Sequence, residues 1–182
     1  MGRASQAQAQ ENRQRVIETA SRLFRESGTE VSVADLMKAA GLTHGGFYKQ
    51  FTSKGALIAE AAAHAFDEQT RLRAAVLEQH PGHRDDAQRE VIDAYLSPEH
   101  RDRAADGCPI AGLAVDVARG HGSPEARQVF AEQVEATAEW LATKDDDGLT
   151  RLATMVGALI LARATKDAPI SENFLTAARK AL

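Results

Sequence analysis

The chain has 182 residues, with 22 Lys and Arg against 26 Asp and Glu and a formal charge of −4 at pH 7. That balance excludes a protein basic along its whole length, the simplest electrostatic footprint of nucleic-acid binding. With 43% hydrophobic and 26% charged residues, the composition is that of a globular chain, one domain or one domain with a small satellite, able to bury about two-thirds of its unfolded surface.

Helix is expected throughout, because aromatics make up only 5%, alanine is abundant and alternating β-branched runs are scarce. The polar start MGRASQAQAQ (1–10) reads as a loose arm. Val16, Ile17, Ala20, Leu23 and Phe24 then recur at the spacing of a helix packed on one face, which Gly28 is placed to end. Ser32 caps a short helix with Val33, Leu36, Met37 and Ala40 facing inward, and Gly41 stops it. Only Leu42 separates this stop from the next cap, Thr43, so the two short helices form a helix-turn-helix. Thr43 opens a helix of about seven residues anchored by Phe47 and Phe51. Ser53 caps a long helix that runs to Gln79. Further helices are expected at about 85–96, 110–119, 124–143, 147–166 and 171–182, nine in all. The stretch 97–107 (SPEHRDRAADG) reads either as a short helix or as a loop.

The charge is unevenly spread. Residues 1–54 hold eight Lys and Arg against five Asp and Glu, for +3, which leaves fourteen against twenty-one, for −7, in residues 55–182. The basic end is the N-terminal one. Cys108, the single cysteine, can form no internal disulfide, which fits a reducing compartment. No apolar run approaches the roughly 18 residues of a membrane span, and the polar start lacks the apolar core of a signal peptide. The expectation is a soluble cytoplasmic protein with no membrane partner.

The block 41–54 reads GLTHGGFYKQFTSK. A helix that begins Thr-His-Gly-Gly leaves its first backbone N–H groups uncovered by bulky side chains, so phosphate oxygens can approach them. The glycines cost helix stability, so something other than propensity favours them. Tyr48 and Lys49 are directed at solvent while Phe47 and Phe51 face the core. Lys54, just after the Ser53 cap, does nothing for the dipole of its own helix and points to an anionic partner.

Together with Leu23-Phe24, Gly28, Val33, Leu36, Ala40 and Leu57, this block resembles the TetR/AcrR family of bacterial transcriptional regulators over roughly residues 12–58. Met37 departs from the alanine usual there and leaves the surface motif intact. The resemblance implies an all-α homodimer. Its head, residues 1–54, lays the helix starting at Thr43 and its Gly45-Gly46 pair into the major groove of double-stranded DNA at a palindromic operator. Thr43, Tyr48 and Lys54 would contact phosphates, and His44, Gly45 and Lys49 would lie closest to base edges. Arg3 on the arm reads either as an added DNA contact or as none.

For residues 55–182 the resemblance implies a helical body with an effector pocket and, in its last two helices, the dimer interface. The segment 149–163 (LTRLATMVGALILAR) is too apolar for one face of a surface helix. Ala153, Gly157, Ala158 and Leu161, with Phe174 and Ala178 from the last helix, are the expected interface; a central helix in a monomer is the other reading. The segment 107–120 (GCPIAGLAVDVARG) resembles a subgroup in which some members sense electrophiles or small unsaturated molecules through a cysteine at this helix start. A buried turn with an inert Cys108 is the alternative. His64, Phe66, Tyr95, Phe130 and Trp140, with Cys108, are candidates to line an effector cavity, and each taken singly also reads as ordinary core.

His80 and His83, near His64 and Asp67, sit in an HPGH turn without metal-ligand spacing, and no catalytic set is recognisable. No metal, cofactor or enzymatic activity is expected. The function expected is a homodimeric, ligand-responsive repressor released from its operator by an unknown small-molecule effector. The alternative is a helical small-molecule-binding protein that has lost DNA recognition.

Overall fold

The computed structural model describes the backbone of residues 2–121 and 123–182, and side chains from residue 6 onward except at position 122. Among these residues it is all-helical, with nine α-helices and two 3₁₀ turns. Helix α1 spans Gly2–Ser27, so the expected loose arm is instead the first turns of α1. Its Ala and Gln residues are strong helix formers with no proline among them, and the helix extends back through them. The side chain of Arg3 lies outside the described residues.

Helix α2 (Val33–Ala39) is capped by Ser32, whose hydroxyl accepts from the Asp35 N–H at 3.1 Å. Gly41 ends it at φ +71°, and the Leu42 N–H donates to the Met37 carbonyl at 2.8 Å. That left-handed turn is the tight link expected of a helix-turn-helix. The next segment departs from expectation: His44–Lys49 is a 3₁₀ turn, here η1, and the Thr43 side chain makes no cap hydrogen bond. Two successive glycines cost helix propensity of about 1 kcal/mol each, and a short segment of this kind settles into the tighter coil. Helix α3 (Lys54–Gln79) follows, with Ser53 accepting from the Ala56 N–H at 3.0 Å.

The body comprises α4 (Arg84–Tyr95), α5 (Pro98–Asp102), α6 (Pro109–Ala118), α7 (Pro124–Leu141), α8 (Leu149–Ala164) and α9 (Ile170–Ala181). The ambiguous stretch 97–107 resolves into α5, capped by Ser97, and a second 3₁₀ turn, η2 (Ala104–Asp106). Two apolar cores result. Val16, Phe24, Leu36, Met37, Phe47 and Leu57 centre the first, which Leu113 of α6 and Ala126 of α7 complete. Phe66, Leu96, Leu141, Met155, Leu159 and Leu175 centre the second. Helix α3 contributes to both, so it joins the basic end to the acidic body.

Helix α6 also lies directly against α1. A Cβ added at Gly112 would stand 2.9 Å from the Arg25 Cα and 3.0 Å from its carbonyl oxygen. Propensity alone makes Gly112→Ala stabilising by about 1 kcal/mol, whereas forcing α6 off α1 costs about 1–3 kcal/mol or more. The clash is with backbone, which cannot rotate away, so the net effect expected is a melting temperature lower by about 2–8 °C. A calorimetric scan showing an unchanged or raised melting temperature would contradict this close seating.

Candidate functional site

The outer face of the basic end is formed by η1 and its flanks. Phe47 is fully buried, stacked on Phe51 at 5.5 Å, and Tyr48 stands edge-on to it at 5.1 Å. The buried phenylalanine thereby fixes a tyrosine that is 69% exposed. Thr43, His44, Gly45 and Lys49 are exposed beside it, Gly46 and Lys54 half-exposed. A Cβ at Gly45 would meet nothing within 4 Å, and one at Gly46 would rest on the Met37 methyl at 3.5 Å, an ordinary contact. Neither glycine has positive φ. Packing and backbone thus leave their missing side chains unexplained, and the surface they form is one that another backbone can approach closely. Each of the seven sequence-predicted residues, six within 43–49 at η1 and Lys54 at the start of α3, is at least partly exposed.

The basic residues divide into two groups. Arg13 pairs with Glu60 at 2.6 Å and lies over the Phe51 ring at 4.8 Å, and Arg22 pairs with Asp106. Arg25 is buried. It donates to the Glu68 carboxylate at 3.0 Å, to the Gly107 carbonyl at 3.2 Å and to the Ser21 carbonyl at 3.1 Å. These three arginines tie α1 to α3 and to the loop ahead of α6. A second tie lies at the end of α1, where the Asp116 carboxylate of α6 accepts from the Thr29 N–H at 2.6 Å. Arg15, Lys38, Lys49 and Lys54 have no carboxylate partner among the described residues.

In the body, four of the six predicted cavity residues share one cavity: Phe66, Tyr95, Cys108 and Trp140 line a hollow of about 40 Å³. Phe130 instead packs edge-on against Phe66 at 6.0 Å and faces a separate groove with Val117 and Val134. His64 points to Glu68, 3.5 Å away, and is not part of the cavity wall. Sequence reading missed Arg73, which lines the cavity from α3; its place in a long polar face of that helix gave no signal. Cys108 caps α6 and is buried. Its N–H donates to His100 Nε2 at 3.1 Å, so Nδ1 carries the ring proton and donates to the Tyr95 carbonyl at 2.7 Å. Burial pushes the His100 pKa below its ordinary 6.5, only partly offset by that carbonyl bond, and Arg163 lowers it further. Burial likewise drives the Tyr95 phenol well above 10, with the nearby Cys108 thiol adding to the rise.

The expected dimer residues separate. Ala158 and Ala178 are buried within the single chain, where α8 meets its neighbours, so they serve its own core and are not open to a partner. Ala153 and Leu161 are exposed, Phe174 is half-buried, and a Cβ at Gly157 would meet nothing within 4 Å. His80 pairs with Glu90 at 2.7 Å, and among the described residues no group of three potential ligands could hold a metal ion. Among those residues, too, no helix is long and apolar enough to cross a membrane.

Fold and surface define an all-helical protein with a helix-turn-helix head on a larger helical body. Residues 16–61 match the family model described as "Bacterial regulatory proteins, tetR family". Over 61 residues the chain is 39% identical to the HTH-type transcriptional regulator AcrR of Shigella flexneri, a match covering 33% of this chain and 28% of that one. Over almost its whole length it is similar to a TetR transcriptional regulator from Chloroflexus aurantiacus, at 26% identity and a TM-score of 0.75, with 96% of this chain and 95% of that one covered. NemR of E. coli in its reduced form shares the fold at 17% identity, with a TM-score of 0.74 over 93% and 96% of the two chains. Residues 16–61 thus carry the tetR-family match, and the whole chain has the fold of a TetR transcriptional regulator.

Because the folded pKa of His100 lies below the unfolded 6.5, the folded state binds fewer protons there, and its contribution to stability is intact above 6.5 and lost as pH falls through the folded value. An NMR titration is expected to place the His100 ring below 6.5. Melting temperature should fall between 6.5 and about pH 5 less steeply in His100→Gln; a ring titrating above 6.5 would reverse the sign.

Proposed function

We propose that the chain is a homodimeric, ligand-responsive transcriptional repressor. Its head reads a palindromic operator and its body takes a small-molecule effector that releases the DNA. The observation that carries the reading is the η1 face, where a buried Phe47 presents Tyr48 outward beside Thr43, His44, Lys49 and two glycines that packing does not require. The match of residues 16–61 to the tetR family model supports it. Tyr48, Thr43 and Lys54 position the head on phosphates, and His44 and Lys49 reach base edges, where Lys49 donates to guanine acceptors.

A second copy docks on the outer face of α8, where Ala153 and Gly157 permit close helix approach and Leu161 supplies apolar area, with Phe174 of α9 at its edge. Two heads related by a two-fold axis then match two inverted half-sites. The effector acts through α3 and α6, which reach from the cavity wall to the head.

Duplexes selected from a random pool are expected to carry inverted half-sites, and binding to them should weaken steeply with salt. Tyr48→Ala and Lys54→Ala should each weaken binding by about tenfold or more, and Lys54→Ala should flatten the log–log salt slope by about 1. Anisotropy titrations that find no enriched sequence, or binding indifferent to both substitutions, would overturn the reading.

A further inference from the structure

The body cavity is apolar over most of its wall, through Phe66, Val91, Ile110, Leu141, Leu152 and Met155, and no Asp or Glu lines it. Its polar groups include two that only donate, the Arg73 guanidinium and the Trp140 indole N–H. The Trp140 Nε1 and the Tyr95 hydroxyl are buried and have no hydrogen-bond partner, and an indole N–H can only donate. Unsatisfied buried polar groups of this kind are costly and rare, and two on one cavity wall mark a place for an acceptor.

Arg73 adds charge. Its guanidinium is half-buried, lies over the Trp140 ring at 5.8 Å, and donates to the hydroxyls of Thr137 at 3.0 Å and Thr70 at 3.2 Å. Two of its five N–H groups are thereby used and three remain. Close by, Arg163 is also half-buried and spends its donors on the His100 and Arg101 carbonyls. Neither arginine has a carboxylate partner among the described residues, in contrast to Arg13, Arg22 and Arg25. Two partly desolvated cations without a counter-charge, beside two unmet donors, make the interior electropositive. The cavity opens past Gln69, Arg73, Val91 and Tyr95, which it shares with an outer hollow of about 270 Å³ between α3 and α4. The two acids at that outer hollow are already engaged, Glu90 by His80 and Asp106 by Arg22.

We infer that the effector is a small carboxylate with a flat apolar body, its carboxylate held by Arg73 with Trp140 Nε1 and the Tyr95 hydroxyl as further donors, and its body against the apolar wall. This deepens the proposed ligand-responsive reading and rests on it for the word effector. Arg suits the role because its planar fork meets a carboxylate at two points. The inner hollow holds only a few waters, so a ring-sized body extends into the outer hollow or moves the wall that Cys108 and Tyr95 form.

Trp140 is the single tryptophan of the chain, so its fluorescence reports directly on the cavity. Benzoate and its neutral isostere benzamide are titrated into the full-length protein without DNA, with hexanoate as a non-aromatic carboxylate. Benzoate is expected to saturate the signal at a Kd at least about tenfold below that of benzamide. Arg73→Gln should abolish that preference, and Tyr95→Phe, which keeps the ring, should weaken benzoate several-fold. Circular dichroism confirms that both variants remain helical. Equal or tighter benzamide binding, a preference that survives Arg73→Gln, or no saturable change with either carboxylate would overturn the inference. DNA release is read separately: a protein that binds benzoate but no operator keeps the inference and loses the regulator reading, and one that binds an operator yet ignores both carboxylates does the reverse.

Discussion

A single buried guanidinium joins the three parts of this molecule. Arg25 leaves the last turn of α1, reaches the Glu68 carboxylate on α3, and donates to the carbonyl of Gly107, the residue before the cavity-lining Cys108. An arginine with its side chain 2% exposed survives burial only because a carboxylate and two carbonyls satisfy it, and removing such a partner commonly costs about 3–5 kcal/mol. The seating of α6 on α1 depends on the same residue, since Gly112 packs against its backbone. The cavity wall and the head are therefore held by one set of contacts, and any movement of the 107–109 segment acts on α1.

This arrangement also explains the charge asymmetry. Three of the eight basic residues in 1–54 are neutralised by Glu60, Glu68 and Asp106, all beyond residue 54. Part of the acidic excess of the body is thus the counter-charge of the head's own arginines. Among the described residues four cations of this end are left for a polyanion, Arg15, Lys38, Lys49 and Lys54, and the last two follow Tyr48 in the chain, at the end of η1 and the start of α3. Under the proposed reading, such a head would contact phosphates at a limited number of points, while the acidic body would oppose indiscriminate association with DNA.

The helices were legible because each carries a stripe at helical spacing with a cap or a glycine at its ends; Ser32, Ser53, Gly28 and Gly41 mark boundaries that the backbone follows. The 3₁₀ form of 44–49 was not, since a cap and two buried phenylalanines fit either coil, and the choice is made by backbone hydrogen bonds that spacing does not encode. The arm was misread because a polar Ala/Gln run lacks an apolar stripe but keeps high helix propensity. Ala158 and Ala178 show a different limit: in an apolar helix the sequence pattern does not say which small residues face the chain's own core and which face outward. At the sites, the exposed block 43–54 was readable because its residues are contiguous. Arg25 acts through partners 43 and 82 residues away, Arg73 lines a cavity, and His100 bonds the Tyr95 carbonyl and the Cys108 N–H across the ends of two helices; nothing in their local sequence marks them.

The claim that head and cavity wall are coupled through Arg25 is tested most directly by amide hydrogen exchange on the wild-type protein and on Arg25→Met, without DNA or ligand. Faster exchange is expected in Arg25→Met at both ends of the tie, residues 24–29 at the end of α1 and 107–112 at the start of α6, with α8 and α9 unchanged. Acceleration confined to the end of α1, with 107–112 exchanging as in the wild type, would contradict it.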